Sequence, residues 1–375
     1  MNERTKELDG LRGMAVILVM ALHIFKRANI FTANGILHFI TTLTFTGWVG
    51  VDIFFVLSGF LITSILLKTK EKAEYFKNFY ARRSLRIFPL YFICVAVILF
   101  FIPILDPVFV PEIQRVIPFL LLSQQNWIIL LPGRSLTLYL SVTWSLAIEE
   151  QFYLVWPAAV YFLRKQTLVK LSLGVIVLSI LARIFGVLFW GNITQAANFF
   201  FYNTFTRFEQ LIFGALLAVA FTDTRWKDWL RTVSLPVFIV SFIAFLALCV
   251  ASLPGVPHPI YDNYPLTLAG YTVTSLFSAA LIAYLMLSHK KTVLHKFFQN
   301  KILTFFGKHS YAMYLLHMPF ALILLDFFWQ DGYRGWQIYV IYIASVFGAT
   351  ILASLLTWHI FEKHILDLKK YFEYE

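Results

Sequence analysis

The sequence has 375 residues, of which 59% are hydrophobic and 14% are charged, and its formal net charge at pH 7 is +11. Soluble domains have roughly 45 to 50% apolar and about 25% charged residues, so this composition excludes an ordinary water-soluble fold. The net positive charge fits either a nucleic-acid partner or a membrane topology, and the positions of the basic residues decide between them.

The apolar residues are concentrated in runs of about 17 to 25 residues, the length that a helix needs to cross roughly 30 Å of hydrocarbon. We therefore predict an all-α, polytopic integral membrane protein with about ten transmembrane helices and both ends in the cytoplasm. In chain order, the predicted spans are residues 13–28, 47–67, 87–104, 143–163, 169–190, 204–222, 233–252, 266–288, 304–328 and 337–361.

The basic residues follow this topology. Lys and Arg are frequent between the second and third spans, in 68–86, whereas 191–203 and 253–265 contain none. This is the asymmetry of the positive-inside rule, so the charge is explained without a nucleic-acid partner. Without repeats or a long polar segment, residues 1–375 are expected to form a single membrane domain with no appended soluble domain. We expect it to lie in a bacterial inner membrane.

The first span contains two ionisable residues on one face. Arg12 and His23 are eleven residues apart, which places them within about 20° of the same helix face and about 16 Å apart along the axis. Charged groups in a span are costly, which makes each a candidate functional residue. A histidine in a span often only forms a hydrogen bond to a neighbouring helix, so the helix alone leaves the role of His23 open.

The segment FYARRSLRIFP before the third span carries an arginine cluster, defined as Arg82, Arg83 and Arg86. Arg82 and Arg86 share a helix face, and guanidinium groups bind phosphates through two parallel hydrogen bonds. The cluster equally fits a topology signal or a site for anionic lipid headgroups.

Carboxylates lie in the second and fourth predicted spans: Asp52, and the adjacent pair Glu149 and Glu150 in TWSLAIEEQFYLVWP. Because adjacent residues cannot share a helix face, at least one of the pair should face protein. A buried carboxylate such as Glu150 commonly orients an imidazole. Glu149 could pair with Arg183 or Arg207, because the predicted topology places these arginines at a similar depth in the outer half of the membrane. Glu209 is predicted to lie at that depth too. Substrate binding and purely structural ion pairing both remain open for Asp52, Glu149, Arg207 and Glu209.

Smaller polar residues also occur inside the spans. Ser58 and Gly59 allow either close helix packing or a ligand tunnel. In SYAMYLLHMP, Tyr311, Tyr314 and His317 fit either hydrogen bonds across helices or the lining of a cavity, and we favour a packing role for them. Cys94 and Cys249 have neither disulfide nor metal-ligand spacing, and no metal site is predicted.

Five segments occur in a characteristic order: LDGLRGMAVILVMALH, GVDIFFVLSGFLIT, FYARRSLRIFPLYF, TWSLAIEEQFYLVWP and GKHSYAMYLLHMP. Together they resemble the acyltransferase-3 family of membrane O-acyltransferases, which modify surface polysaccharides, lipopolysaccharide, peptidoglycan and some antibiotics. The resemblance runs from Leu8 to about the end of the tenth span. It implies that His23 is the catalytic histidine and that Arg12 is needed for activity. The arginine cluster would hold an acyl-CoA donor, and the two glutamates match the family's acidic pair.

The resemblance predicts transfer of an acyl group, with acetyl favoured over succinyl, from cytoplasmic acyl-CoA to a hydroxyl of a cell-surface glycan or its lipid-linked precursor. His23 would act as general base and Glu150 would orient it, although an acyl-histidine intermediate is an alternative. The expected partners are acyl-CoA, a carbohydrate acceptor and membrane lipids. Direct transfer, without a relay domain, is the simpler scheme.

A proton-coupled transporter or flippase is the alternative function. In that scheme His23, Asp52 and Glu150 would relay protons. Transporters often contain internal repeats, and none is visible in this sequence. The sequence does not indicate which acceptor is used or how many subunits assemble.

Overall fold

A computed structural model of the protein describes residues 5–28, 44–105, 110–130, 138–189, 193–251, 265–288, 292–330 and 336–374. These residues form helices and turns, with no strand among them. In chain order, the helices are α1 (Lys6–Ala28), α2 (Val49–Thr69), α3 (Tyr75–Leu105), α4 (Val110–Leu121), α5 (Gln125–Ile128), α6 (Thr143–Phe162), α7 (Lys165–Phe189), α8 (Ile193–Tyr202), α9 (Thr204–Ala220), α10 (Thr224–Ala251), α11 (Tyr271–Leu287), α12 (Val293–Phe298), α13 (Lys301–Lys308), α14 (Ser310–Gln330), α15 (Trp336–Thr357) and α16 (Lys363–Asp367). Short 3₁₀ or π-helical turns lie at Phe45–Trp48, Leu138–Leu140, Leu266–Gly270, Trp358–Glu362 and Leu368–Phe372.

The predicted fold class is confirmed: the protein is an all-α, multi-pass membrane protein. Within the described ranges, 8 helical segments are long and apolar enough to cross a membrane. The remaining two predicted spans coincide with α6, which contains two glutamates, and with α9, which has 17 residues. The count of ten crossings and their direction through the membrane stay predictions.

The third span differs most from its predicted bounds. Helix α3 begins at Tyr75, well before the predicted start at residue 87. Hydropathy misses this part because it contains the arginine cluster. The cluster therefore lies on a continuous helix that extends beyond the apolar run.

Glycines bring α2 and α9 into close contact. A Cβ atom on Gly59 would overlap the backbone carbonyl of Leu211, and one on Gly214 would overlap that of Val56. Small residues allow helices in a membrane to approach at backbone distance. Gly59 therefore has the packing role that the sequence left open, and it fixes α2 against α9.

The first helix is fixed in a similar way. A Cβ atom on Gly13 would overlap the carbonyl of Leu303 in α13, and one on Gly307 would overlap that of Asp9. Helix α1 also packs against α2 and α14. These contacts place the face with Arg12 and His23 beside α2 and α14, where the site lies.

Two buried ion pairs connect α2, α7, α9 and α11. Arg207 Nη2 donates to Asp52 Oδ1 at 2.6 Å, and the Thr274 hydroxyl donates to Asp52 Oδ2 at 2.5 Å. Arg183 pairs with Glu209, whose other carboxylate oxygen accepts a hydrogen bond from Thr272 at 2.5 Å. All four charged side chains are fully buried.

Aromatic rings surround the Arg207 guanidinium. Its Cζ atom lies 4.6 Å from the ring centroid of Tyr271 and 5.3 to 5.5 Å from those of Phe55, Trp144 and Phe201. A cation desolvated against ring faces gains electrostatic stabilisation that offsets part of its burial cost. The pairing thus links helices in the core.

Candidate active site

Three neighbouring cavities follow one another through the described part of the helix bundle. We name them the arginine, central and histidine cavities. The arginine cavity has a volume of about 150 Å³, the central cavity about 110 Å³ and the histidine cavity about 90 Å³. Each adjacent pair shares lining residues, so the three lie in a row from the arginine cluster to His23.

The arginine cavity lies between α2, α3 and the last described residues. Its lining residues are Ile65, Phe79, Arg82, Arg83, Arg86, Lys369 and Tyr374. Arg82 Nη1 donates to the backbone carbonyls of Lys369 at 3.2 Å and Phe372 at 3.1 Å. Burial raises the pKa of the Tyr374 hydroxyl above its ordinary value, so this side chain is neutral at physiological pH. The cavity is therefore cationic, with an uncharged aromatic side chain in its wall.

The central cavity shares Arg83 and Arg86 with the arginine cavity. It adds side chains from α1, α2, α3, α6 and α14: those of Arg12, Val51, Phe54, Phe55, Leu57, Ser58, Ile87, Ser145, Leu146, Glu149, Tyr153, Ser310, Tyr311 and Tyr314. The sequence prediction that Arg12 and the arginine cluster face one ligand site is thus compatible with the geometry for Arg12, Arg83 and Arg86. Arg82 lines only the arginine cavity.

Glu149 lies in the wall of the central cavity. Its Oε2 accepts a hydrogen bond from the Tyr153 hydroxyl at 2.9 Å. The Tyr153 ring lies 5.6 Å from Arg83 Cζ, and its hydroxyl also forms a hydrogen bond to Ser58. The suggested pairing of Glu149 with Arg183 or Arg207 is wrong, because those arginines pair with other carboxylates.

The histidine cavity lies on the other side of Val51 and Tyr314, which line both it and the central cavity. Its remaining lining residues are Val19, Leu22, His23, Lys26, Phe45, Trp48, Ser141, Val142, Trp144, Phe201 and Tyr202. Tyr314 is held across this junction, because its hydroxyl donates to the Val142 carbonyl at 3.1 Å and lies 2.5 Å from the Ser145 hydroxyl. A ligand that reaches His23 from the central cavity passes these two side chains.

The hydrogen bonds of His23 and His317 determine which ring nitrogens carry protons. His317 Nδ1 lies 3.1 Å from the Met313 carbonyl, which only accepts, so this nitrogen is protonated and Nε2 of the neutral ring is an acceptor. His23 Nδ1 lies 3.0 Å from the Val19 carbonyl and 3.1 Å from His317 Nε2, so it is protonated too. The lone pair of neutral His23 is therefore on Nε2, the nitrogen suited to act as a base.

The contacts among the described residues do not support the predicted orienting role of Glu150. The side-chain partner of His23 is His317, and Glu150 Oε1 is buried without a hydrogen-bond partner. Helix α6 turns Glu149 to the central cavity, and its neighbour cannot face the same way. Glu150 lines none of the three cavities.

For three of the predicted substrate-binding residues, the contacts favour a structural role. Asp52, Arg207 and Glu209 are fully buried in the ion pairs, and none of them lines the three cavities. Arg207 Nη2 and the carboxylates of Asp52 and Glu209 are hydrogen-bonded to protein, which favours the structural alternative. Glu149 is the one predicted substrate-binding residue that lines a cavity.

The sequence interpretation missed Tyr314 and His317, which it treated as packing residues. They are three residues apart, a spacing that places two side chains on one helix face. That spacing was a usable signal, but it did not identify α1 as the facing helix. The sequence also gave no reason to connect Lys369 and Tyr374 with the arginine cluster.

Comparisons with known proteins identify the family of the chain. A family model described as an acyltransferase domain matches residues 5–359. The peptidoglycan O-acetyltransferase OatA of Listeria monocytogenes is 31% identical over 332 residues, covering 83% of this chain and 48% of the relative. The O-acetyltransferase OatA of Staphylococcus aureus is 28% identical over 359 residues, covering 90% of this chain and 53% of the relative.

This chain spans about half the length of these relatives. No solved structure matches it. The family match nevertheless includes α1 to α15 and every lining residue of the three cavities except Lys369 and Tyr374. The chain belongs to the acyltransferase-3 family.

Proposed function

We propose that this protein is a membrane O-acetyltransferase that transfers an acetyl group from acetyl-CoA to a hydroxyl of a cell-surface glycan. The observation that carries the proposal is the series of cavities that joins Arg83 and Arg86 to His23. The names of the relatives support O-acetyl transfer, and that of the Listeria protein favours peptidoglycan as the acceptor.

The cavities suit a donor with an anionic head and a narrow arm. Guanidinium groups bind phosphates strongly, and Arg83 and Arg86 line both of the first two cavities. Arg12 and His23 are eleven residues apart on α1, about 16 Å along its axis, which is compatible with the reach of a pantetheine arm. We place the arginine cavity on the cytoplasmic side, following the positive-inside rule.

His23 acts on the acceptor hydroxyl in this scheme. Its Nε2 takes the hydroxyl proton as the oxygen attacks the thioester carbonyl carbon. The new C–O bond forms and the C–S bond breaks, and the coenzyme A thiolate that leaves takes up the proton from the His23 imidazolium. His317 Nε2 accepts a hydrogen bond from His23 Nδ1, which keeps the proton on Nδ1 and leaves His23 Nε2 free to act as the base. Lys26 supplies a positive charge in the same cavity for the oxyanion that develops during attack.

The test uses open membrane fragments, acetyl-CoA labelled on the acetyl group and peptidoglycan fragments as acceptor. The wild type should transfer label to the glycan, and a folded His23→Ala variant should transfer at least about a hundredfold more slowly. His359→Ala is the matched control, because His359 is exposed on the last turns of the bundle and lines none of the three cavities. Undiminished transfer by His23→Ala would refute the assigned base.

Open fragments also separate the proposed activity from transport. An acetylated product needs no sealed compartment, whereas a transporter or flippase shows its activity only across one. Label movement that requires sealed vesicles and leaves no acetylated glycan would favour the transport alternative.

A further inference from the structure

The last described residues fold back onto the arginine cluster. In this 368–374 segment, the carbonyls of Lys369 and Phe372 accept hydrogen bonds from Arg82, and the Glu373 carbonyl accepts one from Asn78 Nδ2 at 3.0 Å. The Tyr374 ring lies 5.8 Å from Arg82 Cζ. These contacts fix the segment against α3. Arg82 therefore positions this segment, a role distinct from the phosphate binding that the sequence suggested.

This arrangement adds side chains to the arginine cavity. Lys369 and Tyr374 line it together with Arg83 and Arg86, and both Lys369 and Tyr374 are half-buried. Lys370 and Tyr371, from the same segment, are exposed and do not line this cavity. The segment thus presents one cation and one aromatic ring to the cavity and leaves a second such pair outside it.

An aromatic ring beside several cations is a suitable site for a nucleotide. Purine rings stack on aromatic side chains, while guanidinium and ammonium groups neutralise the phosphates. The head of a donor whose arm enters the central cavity would lie against the 368–374 segment.

We propose that the 368–374 segment forms one wall of the donor's nucleotide site, with Tyr374 stacking on the adenine and Lys369 pairing with a phosphate. The inference rests on the proposed function, in which the donor is an acyl-CoA. It assigns recognition of the nucleotide to this segment, and recognition of the arm and the acetyl group to the other two cavities.

The experiment measures CoA binding to the full chain in detergent by calorimetry. Tyr374→Ala should raise the Kd for CoA about tenfold, because the stacking surface is lost, and Tyr374→Phe should leave it near the wild-type value. Lys369→Gln should also weaken CoA binding, and the effect should shrink at high salt. Lys370→Gln is the matched control, because it removes a neighbouring charge that does not line the cavity.

Acetyl-pantetheine separates nucleotide recognition from a structural effect. It has the arm and the thioester but no nucleotide, so at equal donor concentration Tyr374→Ala and the wild type should use it at equal rates. Equal CoA affinities for the wild type and Tyr374→Ala would overturn the inference and leave the proposed function intact. A wild type that binds no CoA would overturn both.

Discussion

His317 Nε2 accepts a hydrogen bond from His23 Nδ1 at 3.1 Å, although the two residues are 294 positions apart in the sequence. His317 is in turn fixed by the Met313 carbonyl. This pair occupies the place where the family resemblance suggested a carboxylate and a histidine. A neutral imidazole can set the tautomer and orientation of His23 but cannot add a full negative charge beside it.

We predict that removal of His317 slows catalysis without abolishing donor binding. His317→Ala should lower the turnover number about tenfold to a hundredfold. This is smaller than the full contribution of a positioned general base, because His23 itself is still present. The Kd for acetyl-CoA should stay near the wild-type value, because His317 does not line the arginine cavity. Labelled acetyl transfer and calorimetry measure the two quantities.

His317→Gln provides the matched comparison. Its amide oxygen can accept the His23 Nδ1 proton, so this variant should retain more activity than His317→Ala. Equal turnover by His317→Ala and the wild type would show that the pair serves packing alone.

The Asp52–Arg207 pair should matter for stability more than for chemistry. Asp52→Leu leaves the buried Arg207 charge unpaired, so it should lower the free energy of unfolding by about 3 to 5 kcal/mol. The double variant Asp52→Leu with Arg207→Met should be more stable than that single variant, because no uncompensated charge remains. Thermal unfolding in detergent tests both. A stable Asp52→Leu protein that loses only acceptor affinity would restore the substrate-binding role.

Gly59 should tolerate no side chain at all. Gly59→Ala places a methyl group on the Leu211 carbonyl, and overpacking of this kind costs about 1 to 3 kcal/mol. Gly174→Ala is the control, because nothing lies within 4 Å of a Cβ atom at that position in α7. Thermal unfolding should show a lower midpoint for the first variant only. Equal midpoints would mean that α2 and α9 separate easily.

Tyr314 should control the length of the transferred acyl group. Because its ring lies in the wall that the central and histidine cavities share, Tyr314→Ala should widen the connection between them and raise the rate with butyryl-CoA relative to acetyl-CoA by roughly tenfold. Tyr314→Phe keeps the ring and should keep the wild-type preference. A butyryl-to-acetyl rate ratio that is unchanged in an active Tyr314→Ala variant would argue against this constriction.

Hydropathy predicted the fold well because burial in lipid requires long apolar runs. A helix occupies each of the ten predicted spans. Position along the spans predicted a similar depth for Arg183, Arg207 and Glu209. In the structure, Arg183 pairs with Glu209, and Arg207 pairs with Asp52. The pairing itself depends on how α7 and α9 are rotated about their axes, so the sequence left the partner of each arginine open.

The candidate site was predictable where its residues share one helix. The eleven-residue spacing on α1 places Arg12 and His23 on one face, and the structure gives each of them a cavity in the same series. The His23 partner was not predictable, because several helices compete to face α1. The packing of α1 against α14 decides which of them does, and the sequence pattern does not reveal that contact.

The central claim is that the coenzyme A arm passes from the arginine cavity through the central cavity to His23. The most direct test is to form a disulfide between coenzyme A and a cysteine placed where the central and histidine cavities meet. Val51 lines both inner cavities, so the cysteine is introduced as Val51→Cys. The free cysteines Cys94 and Cys249 are first replaced by alanine, so that the new thiol is the one that reacts. Val155→Cys in the same background is the control, because Val155 is exposed on the surface of the bundle. The proteins are incubated with CoA disulfide, and their masses are measured by intact-protein mass spectrometry. If the arm passes from the arginine cavity towards His23, Val51→Cys gains a coenzyme A adduct that excess acetyl-CoA suppresses, and Val155→Cys gains none. Binding of CoA without any adduct in Val51→Cys would contradict the path.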